Sequence, residues 1–217
     1  MSTALQAVFG RATPRRAEYE DYWGSIAALD QDSYFRRWLF AFCSVHTTWK
    51  YNVAAYEAIK NFREWQHDKE ELRKRLIKSR AGIFNNRAEW IWKFKDDFFT
   101  YPEFYERRFG ERWPIFRNRL AARISGLGMA KTSFALELAF PLEAQITCLD
   151  THMLQLYERT FSTGPVSGAA YRDYIHTEAD WLARSEALDM PPFIARQMWW
   201  DEKQGKTDSK YWSYVFE

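Results

Sequence analysis

The chain has 217 residues, 47% of them hydrophobic and 18% aromatic, and carries a formal net charge of +2. A chain of this length and apolar content buries one large or two small cores and is not a disordered polymer. The near-neutral balance does not advertise nucleic acid, so any DNA affinity must come from local basic faces; the 2 cysteines exclude a disulfide framework and an iron–sulfur cluster.

Residues 1–15 are small and polar, include Pro14, and read as a loose start. A first helix is expected over 18–29. Asp32-Ser33 is an N-cap pair for a second over 34–45, where Phe35, Trp38, Leu39 and Phe42 fall at helical spacing. The hydroxyl and β-branched residues of Ser44-Val-His-Thr-Thr48 end it. Asn52 opens another helix, with Val53, Tyr56, Ile59, Phe62 and Trp65 recurring on one face. Residues 68–80 form a charged helix with Leu72, Leu76 and Ile77 inward. Its basic run, Arg73-Lys74-Arg75 through Lys78 and Arg80, reads first as a solvated face.

Residues 82–86 are expected as a loop and 87–99 as a helix, and Pro102 and Pro114 punctuate the next stretch. Farther on, Ser162-Thr-Gly-Pro165 is a turn and 171–188 an amphipathic helix. Asp189 with Pro191-Pro192 starts a last helix over 193–200, and Tyr211–Phe216 packs back on the body. No segment alternates like a strand, so the fold class is all-α. The 11 tryptophans read mainly as core, with stacking on bases the lesser use. Cys43 and Cys148 sit in apolar runs and read as buried thiols. The N-terminus has no apolar signal region, and no run nears the ~20 apolar residues of a membrane span. The expected compartment is the cytoplasm, with no membrane partner.

The chain is organised around residues 124–140 and 148–153. A basic helix carrying Arg117, Arg119 and Arg123 runs into Gly126-Leu-Gly128, a turn suited to glycine because glycine takes positive φ at no cost. An apolar helix then opens at Lys131-Thr132. Two helices joined this way form a helix–hairpin–helix, and the free N–H groups of the second make a phosphate site. Asp150 caps the next helix and is the central carboxylate. His46, His67, His152 and His176 are scattered, so no metal is expected.

Four ordered segments resemble the helix–hairpin–helix DNA glycosylase superfamily: Ser44–Thr48, Gly82–Ile91, Gly126-Leu-Gly128 and Leu149-Asp-Thr-His152. The resemblance spans roughly residues 30–200. It implies a two-lobed helical unit over 1–217, with lobes at about 30–140 and at 1–29 plus 141–217 around a DNA-binding cleft. It places His46 and Ile83 as residues inserted into DNA, the hairpin glycines with Lys131 and Thr132 as a phosphate grip, and Asp150 as the catalytic aspartate. Bifunctional members carry a Schiff-base lysine two residues after the second hairpin glycine. Here Ala130 holds that register and Lys131 comes one later, a rotation of ~100° around a helix. A lyase is therefore not expected, and Lys131 reads as a phosphate contact or solvated charge.

Arg36-Arg37-Trp38, 44–53, 82–87 and Gln197-Met-Trp-Trp-Asp201 resemble one branch more closely, the phage α-glutamyl/putrescinyl thymine pyrophosphorylases, or amino acid:DNA transferases. That resemblance implies a double-stranded DNA substrate containing modified thymine, in which 5-hydroxymethyluracil has been pyrophosphorylated by an upstream DNA kinase. The transferase replaces pyrophosphate with an amino acid or amine and needs no cofactor. Base flipping comes first, because the reacting atom lies within a duplex. Lys50 and Arg87 are the candidate cations for the leaving group. Trp49, Asn52, Asn85 and Asn86 would line the base pocket, and Gln197 and Asp201 would meet the amine. A monofunctional glycosylase and a non-catalytic binder of modified DNA remain alternatives, and Asp150 serves the first as well as the transferase.

Overall fold

The computed structural model describes residues 8–9, 15–28, 30–160 and 166–205. Nearly all of the expected loose start, the turn at 162–165 and the packed tail at 211–216 lie outside them. The described residues contain no strand. They form α1 (Arg16–Ser25), α2 (Gln31–Cys43), α3 (Trp49–Ile59), α4 (Lys69–Lys78), α5 (Phe84–Thr100), α6 (Trp113–Arg123), α7 (Met129–Ala139), α8 (Thr151–Leu156), α9 (Gly168–Ala187) and α10 (Pro192–Lys203). Short 3-10 turns at Phe62–Glu64 and Pro102–Tyr105 join α3 to α4 and α5 to α6.

Helix α2 is central and packs against α3, α5 and α7. Its start differs from the expected Asp32-Ser33 pair, because Asp30 is the cap. The Ser33 amide donates to Asp30 Oδ1 at 2.6 Å, and the Asp30 amide donates to Ser33 Oγ at 3.1 Å. This reciprocal box satisfies two backbone donors that the first turn leaves open. Phe35, Trp38, Leu39 and Phe42 are all buried, as the helical spacing requires. Phe35 and Trp38 meet Phe94 of α5, and Phe94 meets Phe98 and Tyr105, so an aromatic cluster welds these elements.

Tyr56 and Ile59 continue the core on α3, but Phe62 lies in the 3-10 turn. Trp65 beyond it donates its indole N–H to the Ile59 carbonyl at 2.8 Å. Asp68 caps α4 through the amides of Glu70 and Glu71. Leu72 and Leu76, one turn apart, are its buried face, whereas Ile77, expected inward, is exposed because it sits ~100° round from Leu76. Trp23, Trp38, Trp65 and Trp181 are fully buried, the main use expected of tryptophan. At the other end α1 packs on α10 and α10 on α9, bringing the first and last described helices together. No described helix is long and apolar enough to cross a membrane.

The hairpin glycines are unequal. Gly126 has φ +86°, and a Cβ there would lie 2.2 Å from Trp90 Cδ2 on α5. Gly128 has φ −83° and ψ −177°, an extended conformation open to any residue, and is the N-cap of α7. Only Gly126 is required by the turn. Gly126→Ala is expected to cost at least about 2 kcal/mol, from the left-handed backbone and displacement of the Trp90 ring. Chemical denaturation of Gly126→Ala beside Gly128→Ala checks this; equal losses would refute the asymmetry.

Candidate functional site

Two loops carry non-glycine residues in the left-handed region. His46 has φ 49°, and Ile83, the N-cap of α5, has φ 37°. For a β-branched residue such as Ile83 this is strained. Both side chains are exposed, Ile83 by 37%. One buried guanidinium holds both loops in place. Arg87 donates from Nε to the Phe42 carbonyl at 3.1 Å and from Nη2 to the Val45 and Cys43 carbonyls at 2.8 and 3.5 Å. Its Nη1 donates to the Gly82 and Ala81 carbonyls at 2.6 and 3.2 Å. Burial pushes its pKa down.

Arg87 is thus not a leaving-group cation. It has no exposed surface, and backbone carbonyls occupy its donors. Its register on α5 turns it under the loops, where it fixes His46 and Ile83 relative to each other. Asn85 and Asn86, expected in a loop, form the first turn of α5 instead. Both remain exposed, and Asn85 Oδ1 accepts from Arg73 Nε at 2.7 Å.

The hairpin rests on the same helix. Trp90 is seven positions after Ile83, so α5 sets the Ile83 loop and the Gly126 turn ~10 Å apart along its axis. Helix α7 starts at Met129 rather than Lys131, and no side chain caps its first amides, which leaves donors for an anion. Ala130 is buried, Lys131 is half-buried with Nζ 5.5 Å from the centre of the Phe134 ring, and Thr132 is fully buried. The Thr132 side chain therefore cannot join a phosphate grip, because it lies on the inward face of α7.

Asp150 caps α8 and is half-buried. Its Oδ1 accepts from the His152 and Met153 amides, each at 3.0 Å. The preceding segment has no regular secondary structure, and buried side chains satisfy its backbone. Glu178 accepts the Thr147 amide at 3.0 Å, and Glu137 accepts the Cys148 amide at 3.2 Å. Tyr174 donates its hydroxyl to the Thr147 carbonyl at 2.7 Å and accepts the Leu149 amide at 3.4 Å.

Each of these carboxylates is held by a buried arginine in a two-pronged pair. Arg117 meets Glu178 at 3.0 Å on both prongs, and Arg196 meets Glu137 at 2.7 and 3.1 Å. Burial works against the charge on Arg117 and Arg196, but the facing carboxylates outweigh it and hold both guanidinium groups further up. Arg196 also lies over the Phe134 and Phe193 rings. Burial pushes the Cys148 thiol up to about 12, and the charges acting on it include Arg196, Asp150 and Lys131.

This network is hardly legible in the sequence. Its one legible sign was Glu137, a carboxylate inside the apolar α7, which must be paired if buried.

Trp49 is half-buried and meets Phe40 edge-on at 5.8 Å, while Lys50 is exposed beside Tyr51. Asn52 is 4% exposed, and its Oδ1 has no hydrogen-bond partner. Gln197 and Asp201 do not form an amine-facing surface. Asp201 has no exposed surface and accepts from Tyr19 Oη at 2.9 Å and from Gln197 Nε2 at 3.0 Å. Helix α10 continues past Trp200 to Lys203, so Asp201 faces inward and ties α10 to α1. No group of three or more potential metal ligands occurs among the described residues.

No family model matches the chain, and no curated protein matches it in sequence. Among solved structures it is similar to the 8-oxoguanine DNA glycosylase of Thermotoga maritima. The TM-score is 0.73 and the identity 19%, over 94% of this chain and 99% of that one. The Methanocaldococcus jannaschii 8-oxoguanine DNA glycosylase gives a TM-score of 0.65 at 19% identity, over 91% and 88% of the chains. The M. jannaschii 8-oxoguanine glycosylase/lyase in complex with a 15mer DNA containing 8-oxoguanine gives 0.65 at 18%, over 94% and 93%. The fold is that of the helix–hairpin–helix DNA glycosylases.

Proposed function

We propose that the protein is a DNA base-flipping enzyme that works on an extruded modified thymine with Asp150 as its reactive carboxylate and without a lysine nucleophile. The observation that carries this reading is a pairing. Asp150 caps a helix start just after a segment that a buried polar network holds, while Ala130 sits buried in the register where, by the family resemblance, a Schiff-base lysine would stand. In this reading His46 and Ile83 fill the vacated stack. The α7 amides with Lys131 hold a phosphate, which positions the strand without reading sequence. Trp49 and Asn52 border the base pocket.

The sequence strings at 44–53 and 82–87 favour transfer as the reaction. The amine nitrogen attacks the C5-methylene carbon of a pyrophosphorylated 5-hydroxymethyluracil. The carbon–oxygen bond breaks, and pyrophosphate departs with its electron pair. Asp150 takes the proton released from nitrogen. The exposed Lys50 is the cation left to meet the leaving group, since Arg87 is occupied. A kinase acting on hydroxymethyluracil DNA would supply the substrate. The second reading, cleavage of the N-glycosidic bond, is favoured by the fold likeness to proteins named as 8-oxoguanine DNA glycosylases.

Two duplex oligonucleotides separate these readings. One carries pyrophosphorylated hydroxymethyluracil and is offered glycine and other amines; the other carries 8-oxoguanine or further damaged bases. Transfer gives a base whose mass rises by the amine with loss of pyrophosphate. Abasic sites would overturn transfer in favour of excision. Retained binding with no product on either duplex would leave only a binder of modified DNA.

A further inference from the structure

Helix α4 and the turn after it carry a charge pattern that the proposed chemistry does not use. Its acids, Glu70 and Glu71, lie in the first turn, where Glu70 pairs with Arg73 and Glu71 with Arg75. The second half is basic, and Lys74, Lys78 and Arg80 are exposed. Arg75 is tied down by Glu64 and Glu71, whereas no ion pair engages Lys74, Lys78 or Arg80 among the described residues. Lys74 and Lys78 are one turn apart, so they share the face opposite the buried Leu72 and Leu76.

This face leads straight into the wedge. Arg80 has φ +59°, Gly82 φ +69° and Ile83 φ +37°, and Arg87 holds the Ala81 and Gly82 carbonyls. The geometry points to Lys74, Lys78 and Arg80 as a phosphate track that grips the DNA backbone beside the Ile83 wedge, separate from the hairpin grip. The track rests on the proposed DNA-binding role. The exposed charges of α4 are then more than a solvated face, because the chain runs from them directly into a strained loop whose shape a single buried arginine fixes.

The test is the salt dependence of binding to a duplex of about 20 base pairs by the triple variant Lys74→Gln/Lys78→Gln/Arg80→Asn, in which asparagine suits the left-handed position. Each phosphate neutralised contributes about 0.9 to the slope of log K against log salt. The triple variant should therefore lose about 2–3 units of slope and bind at least about 10-fold more weakly at physiological salt. A control, Arg107→Gln/Arg108→Gln/Arg112→Gln, removes as many charges before the start of α6, the end away from the hairpin, and should keep the slope. An unchanged slope in the triple variant, or an equal loss in the control, overturns the track while leaving wild-type DNA binding intact. A wild-type chain that binds no duplex overturns the DNA-binding role itself, and the track with it.

Discussion

Asp150→Asn should lower turnover by about 10²–10⁴-fold, the usual contribution of a positioned proton acceptor, with DNA affinity unchanged. The two roles of Asp150 can be separated because asparagine caps a helix as well as aspartate does. The variant keeps an oxygen for the His152 and Met153 amides and loses only basicity. Asp150→Ala removes both functions and should cost about 1 kcal/mol of stability in addition. Single-turnover rates beside equilibrium DNA titrations and denaturation curves check the pair. If Asp150→Asn unfolds or releases DNA while its residual rate stays high, the carboxylate is a cap and the reactive group lies elsewhere.

Arg117→Met should destabilise the protein by about 3–5 kcal/mol, the cost of leaving a buried carboxylate without its cation. Glu178 is 2% exposed, and both of its oxygens meet Arg117. Arg117→Met/Glu178→Leu should recover much of that loss, since removing both charges strands neither. The double variant still lacks the carboxylate that accepts the Thr147 amide. It should therefore refold toward wild-type stability yet remain slow, because the segment leading to Asp150 is no longer held. Urea denaturation with a parallel activity measurement reads both effects. A single variant losing less than about 1 kcal/mol, below the range for a stranded buried charge, would mean that the pair does not hold the core.

The elements most legible in the sequence were those whose causes are local. The Asp150 cap depends on amides two and three residues away, and the Gly126 turn on one backbone angle, so both could be read from short strings. The buried stripe of α2 follows from spacing alone, and only its cap was displaced, from Asp32 to Asp30. Thr132, Arg87 and Asp201 were misplaced for one shared reason. Each assignment assumed that a polar side chain near a candidate site faces that site. A helix turns ~100° per residue, so a side chain within one faces where its angle to the buried stripe puts it. Helix α7 begins at Met129, α5 begins at Phe84, and α10 runs past Trp200, so all three residues lie inside helices. Each falls on the buried side.

By itself the sequence determined the all-α class, the hairpin and the capping carboxylate, because these rest on residue type and short spacing. Tertiary structure alone decided that Arg87 clamps two strained loops and that Arg117–Glu178 and Arg196–Glu137 hold the irregular segment leading to Asp150. The bonds from Arg87 to the His46 loop and the two ion pairs join residues 42 to 61 positions apart. Their charges survive burial only because a partner from a distant part of the chain arrives at hydrogen-bonding distance. No local pattern encodes that meeting, which depends on how α5, α6, α7, α9 and α10 pack.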